Sequence, residues 1–421
     1  MATVGRVRRL TLTLAAFVAA FVLAGPASAS PFAQYGIQDD AWLQYGSGSL
    51  DERLQTLDEL GVDIVRYTID WREVERSRGE RDWGSVDPIL NGLRAHGIPA
   101  VVTIWGTPRW ANGGRSANWA PTRAADFANF AAAAAKRYRH VKKWLIWNEP
   151  NQRRWLRPTS ARTYVTKLLN PAYRSMHNVS RGVKIGAGVT APRGAYKGLS
   201  PVDFIRGMRA SRAKLDAYAH HPYPLRRRET PFTGGCDHCS TITMATLDRL
   251  LREVQRAWGN KRIWLTEYGY QTNPPDRALG VSRALQARYH AEASRKVHAT
   301  PRVDMLIHYL YQDEPSVDRW QSGLMSVSGV AKPARRAFAL PLAQVSRRGV
   351  RTVLWGQVRP GNGRQRYILQ QFRGGKWRTV GGARRTTARD YLTRTVRAGK
   401  GAKFRIWYPA YRLASPIVKI S

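Results

Sequence analysis

Short apolar runs alternate with amphipathic segments through most of the chain. Apolar runs of this kind are typical of buried strands, and apolar positions three or four residues apart are typical of helices. The predicted strands read AQYGI, VDIVRYTI, IPAVVTIW, KKWLIW, VKIGAGV, LDAYAHH, RIWLTEY and VDMLIHYLY. Helical patterns follow them at 51–60, 86–97, 122–140, 160–176, 201–211, 243–259, 282–299 and 332–343. Eight strands alternating with eight helices predict a (β/α)8 TIM barrel of the α/β class.

The pattern changes near residue 345 of the 421-residue chain. From Val350 onward the apolar runs are short, and the turn-like segments RPGNG, RGGK and AGKGAK separate them. Short strands between glycine-rich turns are typical of antiparallel sheets. We therefore assign residues 30–345 to the barrel and predict a small all-β, sandwich-like module over residues 346–421.

The N-terminal segment, residues 1–29, has the features of a signal peptide. Arg6, Arg8 and Arg9 precede the apolar run LTLTLAAFVAAFVLA, and Ala27 and Ala29 form an A-x-A cleavage pattern. A membrane anchor is the alternative, but the run of about 15 residues is short for a span of about 20. We expect a secreted, extracellular protein that is not stably inserted into a membrane. The cell wall is one extracellular location that fits this expectation.

The chain is strongly basic, with a formal net charge of +40, which becomes +37 without the signal peptide. Residues 347–421 hold 19 lysines and arginines and a single acid, Asp390, for a local charge of +18. This charge favours an anionic glycan or cell-wall polymer as a partner of the module; no nucleic-acid motif accompanies it. A general preference for arginine, or a role as a spacer or stabilising cap, explains the same composition without a partner.

The two cysteines, Cys236 and Cys239, lie in the segment CDHC. In an exported protein this spacing favours a local disulfide. Free thiols and a metal site are the alternatives, but structural zinc needs four ligands and only His238 lies beside the pair.

Two glutamates fall at the ends of predicted strands. Glu149 ends the fourth strand and Glu267 ends the seventh. Catalytic side chains of a TIM barrel come from the carboxyl ends of its strands, so the two carboxylates can face each other across the barrel mouth. A carboxylate pair of this kind is what glycoside hydrolysis requires.

The motifs WNEPN at 147–151 and TEYGY at 266–270 resemble the catalytic signature of clan A glycoside hydrolases. Family 39 and its endo-acting relatives are the most similar, and family 5 is the near competitor. The resemblance covers roughly residues 34–343 and excludes the C-terminal module. It implies a retaining hydrolase that needs neither metal nor organic cofactor.

The resemblance also implies roles for individual residues. Glu149 matches the acid/base and Glu267 the nucleophile. Four further residues match substrate-binding or orienting positions, namely Arg66, Asn148, His221 and Tyr223. Arg66 as a structural ion-pair residue, and His220 in place of His221, are the alternatives, because a slip of one residue reverses the face of a strand.

Tryptophans near the strand ends are candidate sugar platforms. Trp105 closes the third strand, and Trp320 lies in the loop after the eighth. Many relatives place a tryptophan on the eighth strand, where this chain offers His308, Tyr309 and Tyr311. Core packing is the alternative explanation for any single tryptophan.

These observations predict a secreted retaining glycoside hydrolase acting on a β-linked polysaccharide or oligosaccharide. A non-catalytic carbohydrate- or cell-wall-binding protein on the same scaffold is the main alternative, and an adhesin that works through its basic module is another. Retention of both carboxylates, Asn148 and Arg66 favours the enzyme.

Overall fold

A computed structural model describes residues 30–195, 197–235, 240–361 and 363–421. It confirms the predicted TIM barrel: eight parallel strands close in sequence order. They are β1 Gln34–Gln38, β2 Ile64–Asp70, β3 Ala100–Trp105, β4 Lys143–Ile146, β5 Lys184–Thr190, β6 Ala217–His220, β7 Arg262–Tyr268 and β8 Val303–Tyr309. The predicted signal peptide and the predicted Cys236–Cys239 disulfide lie outside the described residues.

Each predicted helical segment contains a helix. The helices are α1 Asp40–Tyr45, α2 Leu50–Leu60, α3 Trp71–Val74, α4 Asp87–Ala95, α5 Ala124–Arg137, α6 Ala161–Thr163, α7 Asn170–Val179, α8 Pro201–Ala210, α9 Leu247–Trp258, α10 Arg283–Ala299 and α11 Pro333–Ala339. The segment Tyr164–Leu169 between α6 and α7 is π-helical, and 3₁₀ turns lie at Arg109–Ala111, Met244–Thr246 and Pro409–Tyr411. The short helices α1 and α3 were not predicted.

The barrel interior is filled by apolar side chains. A buried cluster occupies it, comprising Ile64, Val101, Leu145, Val189, Ala217, Ala219, Trp264, Met305 and Ile307. The large indole of Trp264 fits because Gly186 faces it: a Cβ at Gly186 would come within 2.5 Å of the ring. The interior is therefore a packed core, and ligands can reach only the ends of the barrel.

Residues beyond the barrel form antiparallel sheets, which confirms the predicted all-β module. Strands β9 Leu342–Arg348, β10 Arg351–Gln357 and β13 Tyr391–Arg397 form one sheet. Strands β11 Arg366–Arg373, β12 Lys376–Arg385, β14 Lys403–Tyr408, β15 Leu413–Ala414 and β16 Val418–Lys419 form the other. Strand β9 begins within the range that the sequence assigns to the barrel, and the domain boundary at residue 345 stays a prediction.

Arg359, in the loop after β10, joins the module to the barrel. Its guanidinium donates to the carbonyl oxygen of Phe338 at 2.6 Å and to Oγ of Ser294 at 2.9 Å. It also stacks 3.9 Å from the ring centroid of Tyr35. Tyr35 lies in the first half of β1, so this contact is at the amino ends of the strands. The carboxyl ends, where the candidate site lies, are at the opposite end of the barrel.

Among the described helices, none is both long enough and apolar enough to cross a membrane.

Candidate active site

Glu149 projects from a tight loop directly after β4. Trp147 and Glu149 both have left-handed backbone, with φ of 72° and 38°. Such conformations are costly for residues with side chains and persist only where the surroundings hold them. Here the amide of Trp147 donates to Ile104 at 2.9 Å, and that of Glu149 donates to Val189 at 3.0 Å. The neighbouring strands thus hold the loop that aims Glu149 into the barrel mouth.

Glu267, near the end of β7, has partners for both carboxylate oxygens. Oε1 accepts from Nη1 of Arg66, which lies on β2, and Oε2 accepts from the hydroxyl of Tyr223 at 3.1 Å. Arg66 is fully buried and also donates to the carbonyl oxygen of Thr266 at 3.1 Å. A buried cation and a hydroxyl donor therefore hold the two carboxylate oxygens in place.

Arg66 links several strands through further hydrogen bonds. It donates to Oδ1 of Asn148 at 2.9 Å, to Oε1 of Gln38 at 2.7 Å and to Oγ1 of Thr103 at 3.0 Å. Because the amide oxygen of Asn148 is engaged, its NH₂ group is left to donate to a ligand. Gln38 and Thr103 were not identified from the sequence.

His221 lies between the two carboxylates. Its Nδ1 is 3.0 Å from Oε1 of Glu149 and 3.5 Å from Oε2 of Glu267. His220 instead contacts Thr190 at 2.9 Å and the carbonyl of Ile242 at 3.0 Å. His221 is thus the histidine at the barrel mouth, and His220 is part of the packing.

Burial lowers the pKa of His221 to about 3, against an opposing effect of Glu267. The ring is therefore neutral at neutral pH. Its Nε2 lies 3.5 Å from Nη1 of Arg66, which can only donate, so the ring proton belongs on Nδ1, facing Glu149.

Glu149 has a different environment from Glu267. Burial raises the pKa of Glu149 to about 7, and Arg66, a hydrogen bond from Trp155 and Arg154 oppose that rise. Its side chain keeps 17% exposure, so a ligand can reach it. An oxygen of Glu149, an oxygen of Glu267 and a ring nitrogen of His221 lie within 4.8 Å of one another. The site thus offers one carboxyl that is protonated near neutral pH beside one that a cation holds.

Comparison with known proteins agrees with this geometry. The family described as glycosyl hydrolase catalytic core matches residues 94–334, which is more than half of the chain. The chain belongs to this family. It is therefore a glycoside hydrolase. No curated protein sequence matches it significantly.

Solved structures share the fold of this glycoside hydrolase. A family 39 glycoside hydrolase from Bacteroides cellulosilyticus has a TM-score of 0.61 at 15% identity, with 88% of this chain and 81% of that chain covered. A monomeric β-xylosidase from Caulobacter crescentus gives 0.58 at 15% identity, with 87% and 94% covered. GH5_18 from Streptomyces cattleya, in complex with GlcNAc, gives 0.54 at 16% identity, with 73% and 78% covered. The predicted resemblance to family 39, with family 5 as competitor, is confirmed.

Aromatic rings pack against residues that contact the hydrolase's two carboxylates. The half-buried Trp105 ring lies 6.0 Å from Trp147 and 5.4 Å from Trp155, measured between centroids. Trp320 lies 4.8 Å from the ring of Tyr223, which binds Glu267, and 5.4 Å from Tyr309. The loop after β8 thus supplies a tryptophan beside the nucleophile candidate although β8 has none.

His308 of β8 and Tyr311 of the loop after it take part in packing and not in the site. His308 is buried, with Nε2 3.0 Å from the carbonyl oxygen of Ser322. Tyr311 packs on Trp42, with 4.0 Å between ring centroids.

Glu149, His221 and Glu267 also form a cluster that could hold a metal ion. The guanidinium of Arg66 contacts both Glu267 and His221, so a divalent cation would be held against a fixed positive charge. That repulsion favours sugar chemistry without a metal at this site. The predicted absence of a metal stays a prediction.

A buried ion pair holds the loop that carries Trp320. Lys332 donates to Asp313 at 2.7 Å, to Oγ1 of Thr272 at 2.8 Å and to the carbonyl oxygen of Gln321 at 3.1 Å. The side chain of Lys332 is 0% exposed and that of Asp313 is 3% exposed. The lysine therefore anchors the start of the loop and the residue after Trp320 together.

Lys332→Met is expected to lower the free energy of unfolding by about 3–5 kcal/mol, because Asp313 would remain buried without its cation. Urea denaturation measures the change. Arg319→Gln is the matched control in the same loop: Arg319 is exposed, and its pair with the half-buried Glu314, at 3.4 Å, contributes less than about 1 kcal/mol. Equal stability of the two variants would contradict the anchoring role of Lys332.

Proposed function

We propose that this glycoside hydrolase is a retaining enzyme that cleaves a β-linked polysaccharide or oligosaccharide. The observation that carries the proposal is the short separation of the carboxylates, with oxygens of Glu149 and Glu267 within 4.8 Å. Retaining enzymes hold their carboxyl groups about 5–5.5 Å apart, whereas inverting enzymes leave about 6.5–9.5 Å for a water molecule.

In the first step, a carboxylate oxygen of Glu267 attacks the anomeric carbon of the bound sugar. The bond to the leaving oxygen breaks, and that oxygen takes the proton of Glu149. Arg66 and Tyr223 hold Glu267 in its attacking position, and the NH₂ group of Asn148 is placed to donate to the sugar. The product of this step is a covalent glycosyl-enzyme.

In the second step, Glu149, now ionised, takes a proton from water, and the water oxygen attacks the anomeric carbon. The bond to Glu267 breaks, which restores both carboxyl groups to their starting forms. His221 donates to Glu149 and, because it stays neutral, adds no positive charge that would oppose proton uptake.

The substrate class rests on the barrel mouth and on the neighbours. Trp105 packs on Trp155, which contacts Glu149, and Trp320 packs on Tyr223, which contacts Glu267. Both rings would offer flat apolar surfaces to sugar rings. Neighbours with this fold include proteins described as a β-xylosidase and a glucosidase. The N-terminal sequence supports export, so the substrate would be extracellular.

An array of β-linked glycans tests the proposal. We expect the wild-type protein to release reducing ends, and Glu149→Gln and Glu267→Gln to release far fewer. Proton NMR of the first product should show the anomeric configuration of the substrate. An inverted product would contradict the retaining mechanism. Glycan binding without hydrolysis, unchanged in both variants, would favour the non-catalytic alternative.

The rate is expected to fall as pH rises through about 7, because burial raises the pKa of Glu149 to that value and the acid form is needed in the first step. Above that pH, kcat/KM should decrease about tenfold per pH unit. His221 cannot cause this change, since its pKa is lowered to about 3. The pH profile of kcat/KM measures the effect. An alkaline decrease that persists in Glu149→Gln would contradict the assignment.

A further inference from the structure

The outward face of the sheet formed by β11, β12 and β14 carries cations and aromatic rings that take no part in the chemistry at the barrel mouth. Side chains alternate along β11 and β14, and one set packs inward: a Cβ at Gly356 of β10 would lie 3.0 Å from Ile406 of β14. The opposite set points away from β10. It comprises Arg366, Ile368, Gln370 and Phe372 of β11, Lys403, Arg405 and Trp407 of β14, and Trp377 of β12, which pairs with Phe372. We call these eight residues the outer face.

Arg405 is held in one orientation on the outer face. Its guanidinium stacks 4.3 Å from the ring centroid of Trp377, and its Nε donates to Oε1 of Gln370 at 2.8 Å. No carboxylate pairs with it among the described residues. Its two terminal nitrogens are therefore free to donate, side by side, to a planar anion, which is the geometry that a carboxylate matches.

The charge around Arg405 is uncompensated. None of the lysines and arginines of residues 347–421 forms a salt bridge with an Asp or Glu side chain within the described part of the chain. Asp390, the one acid of that region, lies in the loop before β13. Burial raises the pKa of Asp390, and the nearby carboxylate of Asp63 raises it further. On the outer face, Arg366 stands directly opposite Arg385 of β12. Like charges directly opposite destabilise a sheet, and an anionic ligand would relieve that repulsion.

The face also offers aromatic surface. Phe372 is 38% exposed and packs against Trp377 with 5.2 Å between ring centroids, and Lys403 lies 5.7 Å from the Phe372 ring. Trp407 pairs with Ile368, four strand residues from Phe372, so it lies about 13 Å along the sheet. Rings and cations spread over this length fit a polymer of sugar units better than a single small anion.

We propose that the outer face binds a carboxylate-bearing polysaccharide, with Arg405 receiving a uronate carboxylate and with Trp377, Phe372 and Trp407 contacting sugar rings. The proposal assigns residues to the polyanion-binding role that the charge of the module suggests. It is independent of the chemistry of Glu149 and Glu267, so failure of the hydrolysis assay leaves it unaffected.

Binding of the full-length chain to polygalacturonate tests the proposal, with fully methyl-esterified polygalacturonate as the neutral counterpart of the same backbone. Both are measured by affinity electrophoresis at fixed ionic strength, in a Glu267→Gln background so that the polymer stays intact. We expect the esterified polymer to bind at least about tenfold more weakly, which is the effect of one strong charged hydrogen-bond pair.

Arg405→Gln should weaken binding to polygalacturonate at least about tenfold, and Trp377→Ala should weaken it severalfold. Arg397→Gln is the matched control. Arg397 also faces an arginine, Arg351, across the β10–β13 pair, but it stacks on no aromatic ring of the described residues. Its loss should change affinity less than about twofold.

Three results would overturn the proposal: equal weakening by Arg405→Gln and Arg397→Gln, equal affinity for the esterified polymer, or tighter, Arg405-dependent binding of duplex DNA. Arg405→Lys keeps the charge and loses the planar pair of donors, so its affinity should lie between those of wild type and Arg405→Gln. Circular dichroism shows whether Arg405→Gln folds. If it does not fold, the affinity of Arg405→Lys and the affinity of wild type for the esterified polymer test the proposal in its place.

Discussion

Glu267→Gln is expected to lower kcat at least about 10⁴-fold, because the amide that replaces the carboxylate cannot attack the anomeric carbon. When catalytic residues act together as a unit, loss of the nucleophile alone removes most of the rate enhancement. The amide is nearly isosteric, and its oxygen can still accept from Arg66 or Tyr223, so the fold should be retained. Single-turnover hydrolysis of the best substrate from the glycan array measures the change.

The control for this variant is Glu59→Gln. Glu59 is an exposed glutamate on α2, and its carboxylate accepts a hydrogen bond from Gln55. This substitution should leave kcat unchanged. The affinity for glycans should change little in Glu267→Gln, because the side chain of residue 267 acts on the reacting carbon and not on the rest of the glycan. Retention of more than about a tenth of the wild-type rate would exclude Glu267 as the nucleophile.

Glu149→Gln is expected to lower kcat/KM about 10²–10⁴-fold on glycans, whose leaving oxygens need a proton. The loss should be much smaller for formation of the glycosyl-enzyme from an aryl glycoside with a strongly acidic leaving group, which departs without protonation. This split between substrates separates a proton donor from a residue that only binds sugar. Stopped-flow measurement of aryl release gives the first step directly.

The second step should remain slow in Glu149→Gln with either substrate, because water then lacks its base. A burst of aryl release followed by slow turnover is therefore expected. Equal losses on both substrates, with no burst, would indicate that Glu149 only orients the sugar and would leave the proton donor unassigned.

The strands and the carboxylate pair could be predicted because each depends on local sequence. In the run RIWLTEY, the residues Ile263–Leu265 are continuously apolar and do not alternate with polar ones, and this marks a strand covered on both sides. The barrel rule then places its last residues at the mouth, so Glu267 and Glu149 follow from strand order alone. The structure places both there, with His221 between them and with Arg66 in contact with Glu267.

The supporting contacts could not be predicted because they depend on register between strands. Gln38 and Thr103 reach Arg66 only because β1 and β3 flank β2 with a particular offset. No local pattern distinguishes these two residues from other polar residues of barrel strands. The motif did favour His221 over its neighbour, and the geometry shows why: Thr190 and Ile242 already hold His220.

Trp320 shows a different limit of sequence reasoning. It lies eleven residues beyond Tyr309, the last residue of β8, so its approach to Tyr223 depends on the path of a loop. That path is set by Lys332 and Asp313, whose pairing no periodicity could reveal. A sequence with a polar lysine before α11 predicts an exposed side chain, and the buried one is visible only in the fold.

The position of Arg359 has a consequence for engineering. This one side chain of the module fills the space between Tyr35 and Phe338, and Tyr391 of the module covers His298 of α10 at 4.2 Å between ring centroids. A truncated chain ending at residue 345 would uncover these rings and leave the carbonyl of Phe338 without its donor. The barrel is thus not a minimal catalytic fragment that tolerates excision or fusion at that point, and heating should melt both parts in one cooperative transition.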